Sequence, residues 1–184
     1  MLILTASVAT VLVVSAFCSL SEASIYAVRR PYIRSLVASG NRAGPVLNQF
    51  KDNMDQPIAA ILIVNTVANT AGAAVAGAQA SALWGGNSLI WFSAFFTLAV
   101  LLFSEIIPKV LGVVHNRPIA KVVALPWSGL IVALKPLTAL VGKVSHWLKP
   151  NDPVLAAPED EVRELAQMSA EEGSILELEA TLVA

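Results

Sequence analysis

Three apolar stretches, each long enough to cross a bilayer, carry polar side chains that hydrocarbon does not tolerate alone. The stretches run over about 1–28, 57–84 and 88–110, and roughly 20 residues suffice to span a core of about 30 Å. Ser19, Ser21 and Glu22 lie in the first, Asn65 and Asn69 in the second, and Ser104, Glu105 and Pro108 in the third. A buried ionisable group costs at least about 2.5 kcal/mol at the membrane centre, so such residues need partners and mark functional positions. These constraints define an all-α membrane protein, because only helices satisfy every backbone group within one segment. Composition agrees: 56% of the 184 residues are hydrophobic and 14% charged, against about 25% charged in soluble domains.

The formal net charge of −1 conceals two unlike parts. Up to Asn151, 11 Lys and Arg face 4 acids; from Asp152 on, Arg163 alone faces 9. The expected organisation is a transmembrane domain over 1–118, juxtamembrane amphipathic helices over 119–150, and an acidic helical segment over 151–184. That last segment stops inside a helical pattern, which sets the expectation of a truncated segment with a soluble domain beyond Ala184. A signal peptide is not expected, since no basic stretch precedes the first apolar run. Gly85-Gly86-Asn87 is a tight turn that makes the second and third spans a hairpin. Arg29, Arg30, Arg34, Arg42 and Lys51 fill the loop after the first span, so that loop is expected in the cytoplasm. The N-terminus then lies outside and the C-terminus inside, in a multi-pass protein of the cell membrane. Between Ile119 and Leu148, Pro126 and Pro136 interrupt the apolar pattern, and Trp127 and Trp147 are expected as interfacial anchors. A fourth span bent at Pro136 is the alternative.

Spacing within the spans points to one site. Ser15, Ser19 and Glu22 share a helix face, and Asn65 and Asn69 share another. Pro108 lacks an N–H and pushes away the carbonyl of Ser104, freeing an oxygen beside Glu105. With Arg29, Pro57 and Lys109 taken as cytoplasmic boundaries, the polar groups fall about 6–18 Å inside at about 1.5 Å per residue. Each has a simpler role to set against this one. Glu105 can pair with Lys109, Glu22 with Arg29 or Arg30, Asn65 and Asn69 can bridge helices, and Ser19 and Ser21 can bond to the preceding turn. Gly72, Ala76 and Ala80, with Ala73 and Gly77, form small-residue stripes suited to close helix packing. Carboxylate, hydroxyl, amide and carbonyl oxygens suit Mg²⁺, Ca²⁺ or Na⁺. The lone Cys18 and the separated His115 and His146 make no zinc site. No hydrolase or metalloprotease motif occurs, so no enzyme is expected.

Three stretches carry a resemblance: Phe17-Cys18-Ser19-Leu20-Ser21-Glu22-Ala23, Val64-Asn65-Thr66-Val67-Ala68-Asn69, and Ser104-Glu105-Ile106-Ile107-Pro108-Lys109. In order and spacing they resemble the signature stretches of the CorC/cyclin M (CNNM) magnesium transporter family. The resemblance implies a homodimer in the lipid bilayer with three transmembrane helices per protomer and an intramembrane Mg²⁺ site. Ser19, Ser21, Asn65, Asn69 and Glu105 would bind the metal, with Glu22, Ser104, Pro108 and Lys109 shaping the site. Leu20 and Ser104 stand where many members carry glycine. The resemblance further implies Mg²⁺ export by alternating access, with Na⁺ as the candidate coupling ion. No nucleic-acid partner is expected, and adenine nucleotide would bind only to CBS modules absent from this sequence. The alternative is a membrane-embedded cation sensor or anchor that moves nothing.

Overall fold

Pro31 explains where the first helix ends and the second begins. α1 (Leu2–Ala27) stops at Val28 and Arg29, both extended, and α2 (Arg30–Ala38) restarts with Pro31 in its first turn. Pro31 could not continue α1, since its ring would meet the Ala27 carbonyl, but the first turn of a new helix needs no N–H from it. The computed structural model describes residues 1–137. Gly40, with φ +69, then turns the chain into α3 (Ala43–Asp52), and α4 (Asp55–Trp84) follows. Gly85, at φ +84, ends α4, and the hydroxyl of Ser88 donates to its carbonyl at 2.6 Å. The third span comprises α5 (Ser88–Ala99), a π-helical stretch (Val100–Ile106) and α6 (Ile107–Val114). α7 (Asn116–Ala133) follows.

The three spans expected from the sequence are present: α1, α4 and the third span are long and apolar enough to cross a membrane. The described residues contain helices and no strand. α1 is the central element, packing on α4, on the third span and on α7. α1 and α4 run antiparallel at close range, since a Cβ added at Gly72 would collide with the Cγ2 of Val11. Farther along the same contact Leu4 packs with Ala76 and Ala80. The third span runs parallel to α1, and here Gly112 is required. A Cβ on it would lie 2.6 Å from the Leu20 carbonyl oxygen and 2.8 Å from Ala23 Cβ.

The larger core lies at the end of the spans where α2, α3 and α7 gather, among Ile25, Ile33, Leu47, Phe50, Val123 and Trp127. Arg30 pairs with Asp52 at 3.0 Å, and the Lys51 ammonium donates to the Tyr26 carbonyl at 3.0 Å, closing the open end of α1. Burial, and after it the neighbouring Arg30 guanidinium, hold the Lys51 pKa below the usual lysine value.

Two expectations for the juxtamembrane region need correction. α7 runs unbroken through Pro126. Val122 and Pro126 are both exposed, so the backbone left without a donor lies on the open side of the helix, where solvation is cheap. Trp127 is not an interfacial anchor: it is 1% exposed and stacks on Phe17 of α1 with ring centroids 5.9 Å apart. Packing of α7 onto α1 overrides the aromatic-belt reading. Trp147, His146 and the acidic helices of 151–184 lie outside the described residues.

Candidate cation site between the three spans

Every serine on the inner side of α1 is buried: Ser15, Ser19, Ser21 and Ser24. Small side chains let a neighbouring helix approach, and each leaves an oxygen at the contact. Opposite them α4 presents Asn65 and Asn69, one turn apart. The Asn69 amide nitrogen donates to Asn65 Oδ1 at 3.3 Å and to Ser15 Oγ at 3.4 Å. The antiparallel register that pairs Ser15 with Asn69 sets Ser19, one turn along α1, level with Asn65, one turn back along α4.

Two oxygens in this seam have no partner. Ser19 Oγ and Asn69 Oδ1 are both buried and make no hydrogen bond. Leaving a buried polar atom unmet costs about 1–3 kcal/mol, and such an atom requires an explanation. A bound cation supplies one. Ser21 is placed differently, its hydroxyl donating to the Phe17 carbonyl at 2.6 Å within its own helix. Its oxygen lone pairs remain open to a further contact.

The third span adds the charge. Asn69 and Ala73 of α4, with Phe96, Thr97, Leu101 and Glu105, line one cavity of about 280 Å³. The half-buried Glu105 therefore shares a wall with Asn69. The π-helical stretch ends just before Pro108, and Ile107 N–H reaches back five residues to the Leu102 carbonyl. Pro108 has no N–H to offer, and a π-type turn re-registers the bonds around the missing donor, a device common at functional sites. Ser104, on the same stretch, is wholly buried, and its hydroxyl donates to the Leu12 carbonyl of α1 at 3.1 Å. It fastens the deformed turn to the first span.

Charge pairing differs from each simpler reading. Lys109 does not pair with Glu105, nor Glu22 with Arg29 or Arg30; instead Lys109 Nζ lies 3.7 Å from Glu22 Oε2. The helix that carries Lys109 continues five residues past it to Val114. Glu105 lies nine residues, about 13 Å at about 1.5 Å per residue, before the helix end at Val114.

Two residues outside the expected ligand set belong to the seam. Ser15 accepts from Asn69, and its signal was the four-residue spacing to Ser19. Thr97 lines the cavity two turns before Glu105, and that spacing on one helix face would have found it. Among the described residues no three His, Cys, Asp or Glu side chains gather at one point. The seam offers neutral oxygens and one carboxylate, a donor set for a hard cation.

Comparison with known proteins converges on one group. The description Cyclin M transmembrane N-terminal domain (CNNM) matches residues 6–179. A UPF0053 protein of Synechocystis is 31% identical over 175 residues, 95% of this chain and 51% of its own length. A chloroplastic DUF21 domain-containing protein of Arabidopsis thaliana is 31% identical over 140 residues, 76% of this chain and 21% of its own. The UPF0053 inner membrane protein YfjD of Escherichia coli is 24% identical over 135 residues, 73% of this chain and 32% of its own. The chain spans about half the length of the first of these relatives and less of the others.

Proposed function

On the premise that the chain belongs to the cyclin M (CNNM) family of membrane proteins, we propose that it is the membrane domain of a Mg²⁺ transporter that exports the ion, with Na⁺ entry as the driving gradient. The observation that carries this reading is the pair of partnerless buried oxygens on two different spans, Ser19 Oγ and Asn69 Oδ1, with Asn69 sharing a cavity wall with Glu105. Mg²⁺ takes six oxygens in a near-octahedral shell and keeps some of its water. Ser19, Ser21, Asn65 and Asn69 supply neutral oxygens, and Glu105 supplies the charge. One carboxylate against two positive charges gives a site that binds and still releases, which conduction through a membrane protein requires.

Release on the opposite side needs a seam that can reopen. The third span is suited to this, because its backbone bonds around Glu105 are in the wider five-residue register of a π-helical turn, which can shift back to α-helical bonding. In the proposed cycle Mg²⁺ enters from the cytoplasm, sheds water onto the Asn65 and Asn69 amides, and leaves outward as the third span shifts against α1. The N-terminus is outside and the loop carrying Arg29, Arg34 and Arg42 inside, in agreement with the positive-inside rule. Two copies form the working unit.

Purified protein in liposomes loaded with a Mg²⁺ indicator tests the reading. Flux that rises with an opposing Na⁺ gradient and vanishes in Glu105→Ala is the expected result. Mg²⁺ binding without flux would replace the transporter with a sensor or anchor, and full flux in Glu105→Ala would remove Glu105 from the site.

A further inference from the structure

Lys109 has two carboxylates within reach and is found on one of them. On α6 it follows Glu105 by four residues, the spacing and order at which a glutamate and a lysine attract most strongly on a helix. Yet its ammonium sits on Glu22 of α1, Nζ to Oε2 3.7 Å. Glu105 takes part in no ion pair among the described residues. The choice is made across the seam. Gly112 presses the third span against Leu20 and Ala23, and this brings Glu22 to Lys109.

We propose that Glu22 is a positioning residue for cation binding: it holds the Lys109 ammonium against the first span and so keeps Glu105 free for a divalent cation. This rests on the cation site proposed above. A tethered ammonium one turn from Glu105 is present at a high effective concentration and competes with any ion that must come from solution. Glu22 removes that competitor without touching the cargo. It also neutralises Lys109, whose charge would otherwise repel an arriving cation at close range.

The role predicts a pattern that a direct ligand would not give. With the full chain in lipid nanodiscs at fixed ionic strength, Mg²⁺ is titrated and its affinity read from the rise in Tm, since a ligand of the folded state stabilises by mass action. Glu22→Gln frees Lys109 to move onto Glu105 and should weaken Mg²⁺ on the order of tenfold. Lys109→Met should not weaken it. The double variant Glu22→Gln with Lys109→Met should recover to within about twofold of the unaltered chain, because no ammonium remains to compete. A double variant as weak as Glu22→Gln would overturn the inference, making Glu22 either a ligand or a packing element; so would a Glu22→Gln chain of normal affinity. Absence of any Mg²⁺ response in the unaltered chain would overturn the cation site itself, and this inference with it.

Discussion

The first and third spans lie side by side and point the same way, yet they are built on opposite terms. α1 buries eight residues, four of them serines, and is a continuous α-helix over 26 residues. α5 buries none, and the rest of the third span meets its neighbours through Ser104, Pro108 and Gly112. The first span is enclosed on three sides and regular; the third is open along most of its length and departs from α-geometry at Glu105. The serine oxygens therefore sit on a regular helix, the asparagine oxygens on α4, and the charge on the span that departs from α-geometry. A site divided in this way can be opened by moving one span, whereas a site formed wholly within one rigid element could not be taken apart.

The comparison breaks first at Glu105. Glu105→Ala should remove Mg²⁺ flux altogether while leaving Tm without Mg²⁺ within a degree or two, since this side chain makes no ion pair. Unfolding of that variant would show that the third span depends on its charge for structure. Next comes the contact between the two spans. Gly112→Ala places a methyl against the Leu20 carbonyl and Ala23, neither of which can yield, and should cost about 1–3 kcal/mol by overpacking. Gly72→Ala meets only the Val11 side chain and should cost less, so thermal melts of the two variants rank the two seams.

Smaller effects separate the serines. Ser104→Ala loses the bond to the Leu12 carbonyl and should destabilise by about 1 kcal/mol. Ser19→Ala loses no bond, so its stability without Mg²⁺ should be unchanged or slightly raised while Mg²⁺ affinity falls. Thr97→Val, at the cavity wall, should reduce flux severalfold at most. Equal destabilisation by Ser19→Ala and Ser104→Ala would mean that the Ser19 hydroxyl is bonded after all.

The spans, the Gly85 turn and the polar positions were legible because length, apolarity and helical spacing act locally. What escaped depended on neighbours. Lys109 reads from its spacing as a partner for Glu105, and only packing brings it to Glu22, far away in sequence. Trp127 looks like an anchor until α7 is packed onto Phe17. Pro126 looks like a break, but a proline on the open face of α7 leaves its unpaired carbonyl accessible. Pro108 announced a disturbed backbone beside Glu105, whereas the bond that ties the π-helical turn to the first span, from Ser104 to the Leu12 carbonyl, lies across 92 residues and has no local signal. The ordering of the arginine-rich loop into α2 and α3 likewise reflects burial of Ile33, Leu36 and Leu47 against the other helices.

The most direct test is a Mg²⁺-soaked structure in lipid. The account predicts one ion between the spans, about 2.1 Å from its oxygens, bound to Ser19, Asn69 and Glu105. An ion held elsewhere, or Ser19 Oγ and Asn69 Oδ1 satisfied by hydrogen bonds while Mg²⁺ is saturating, would contradict it.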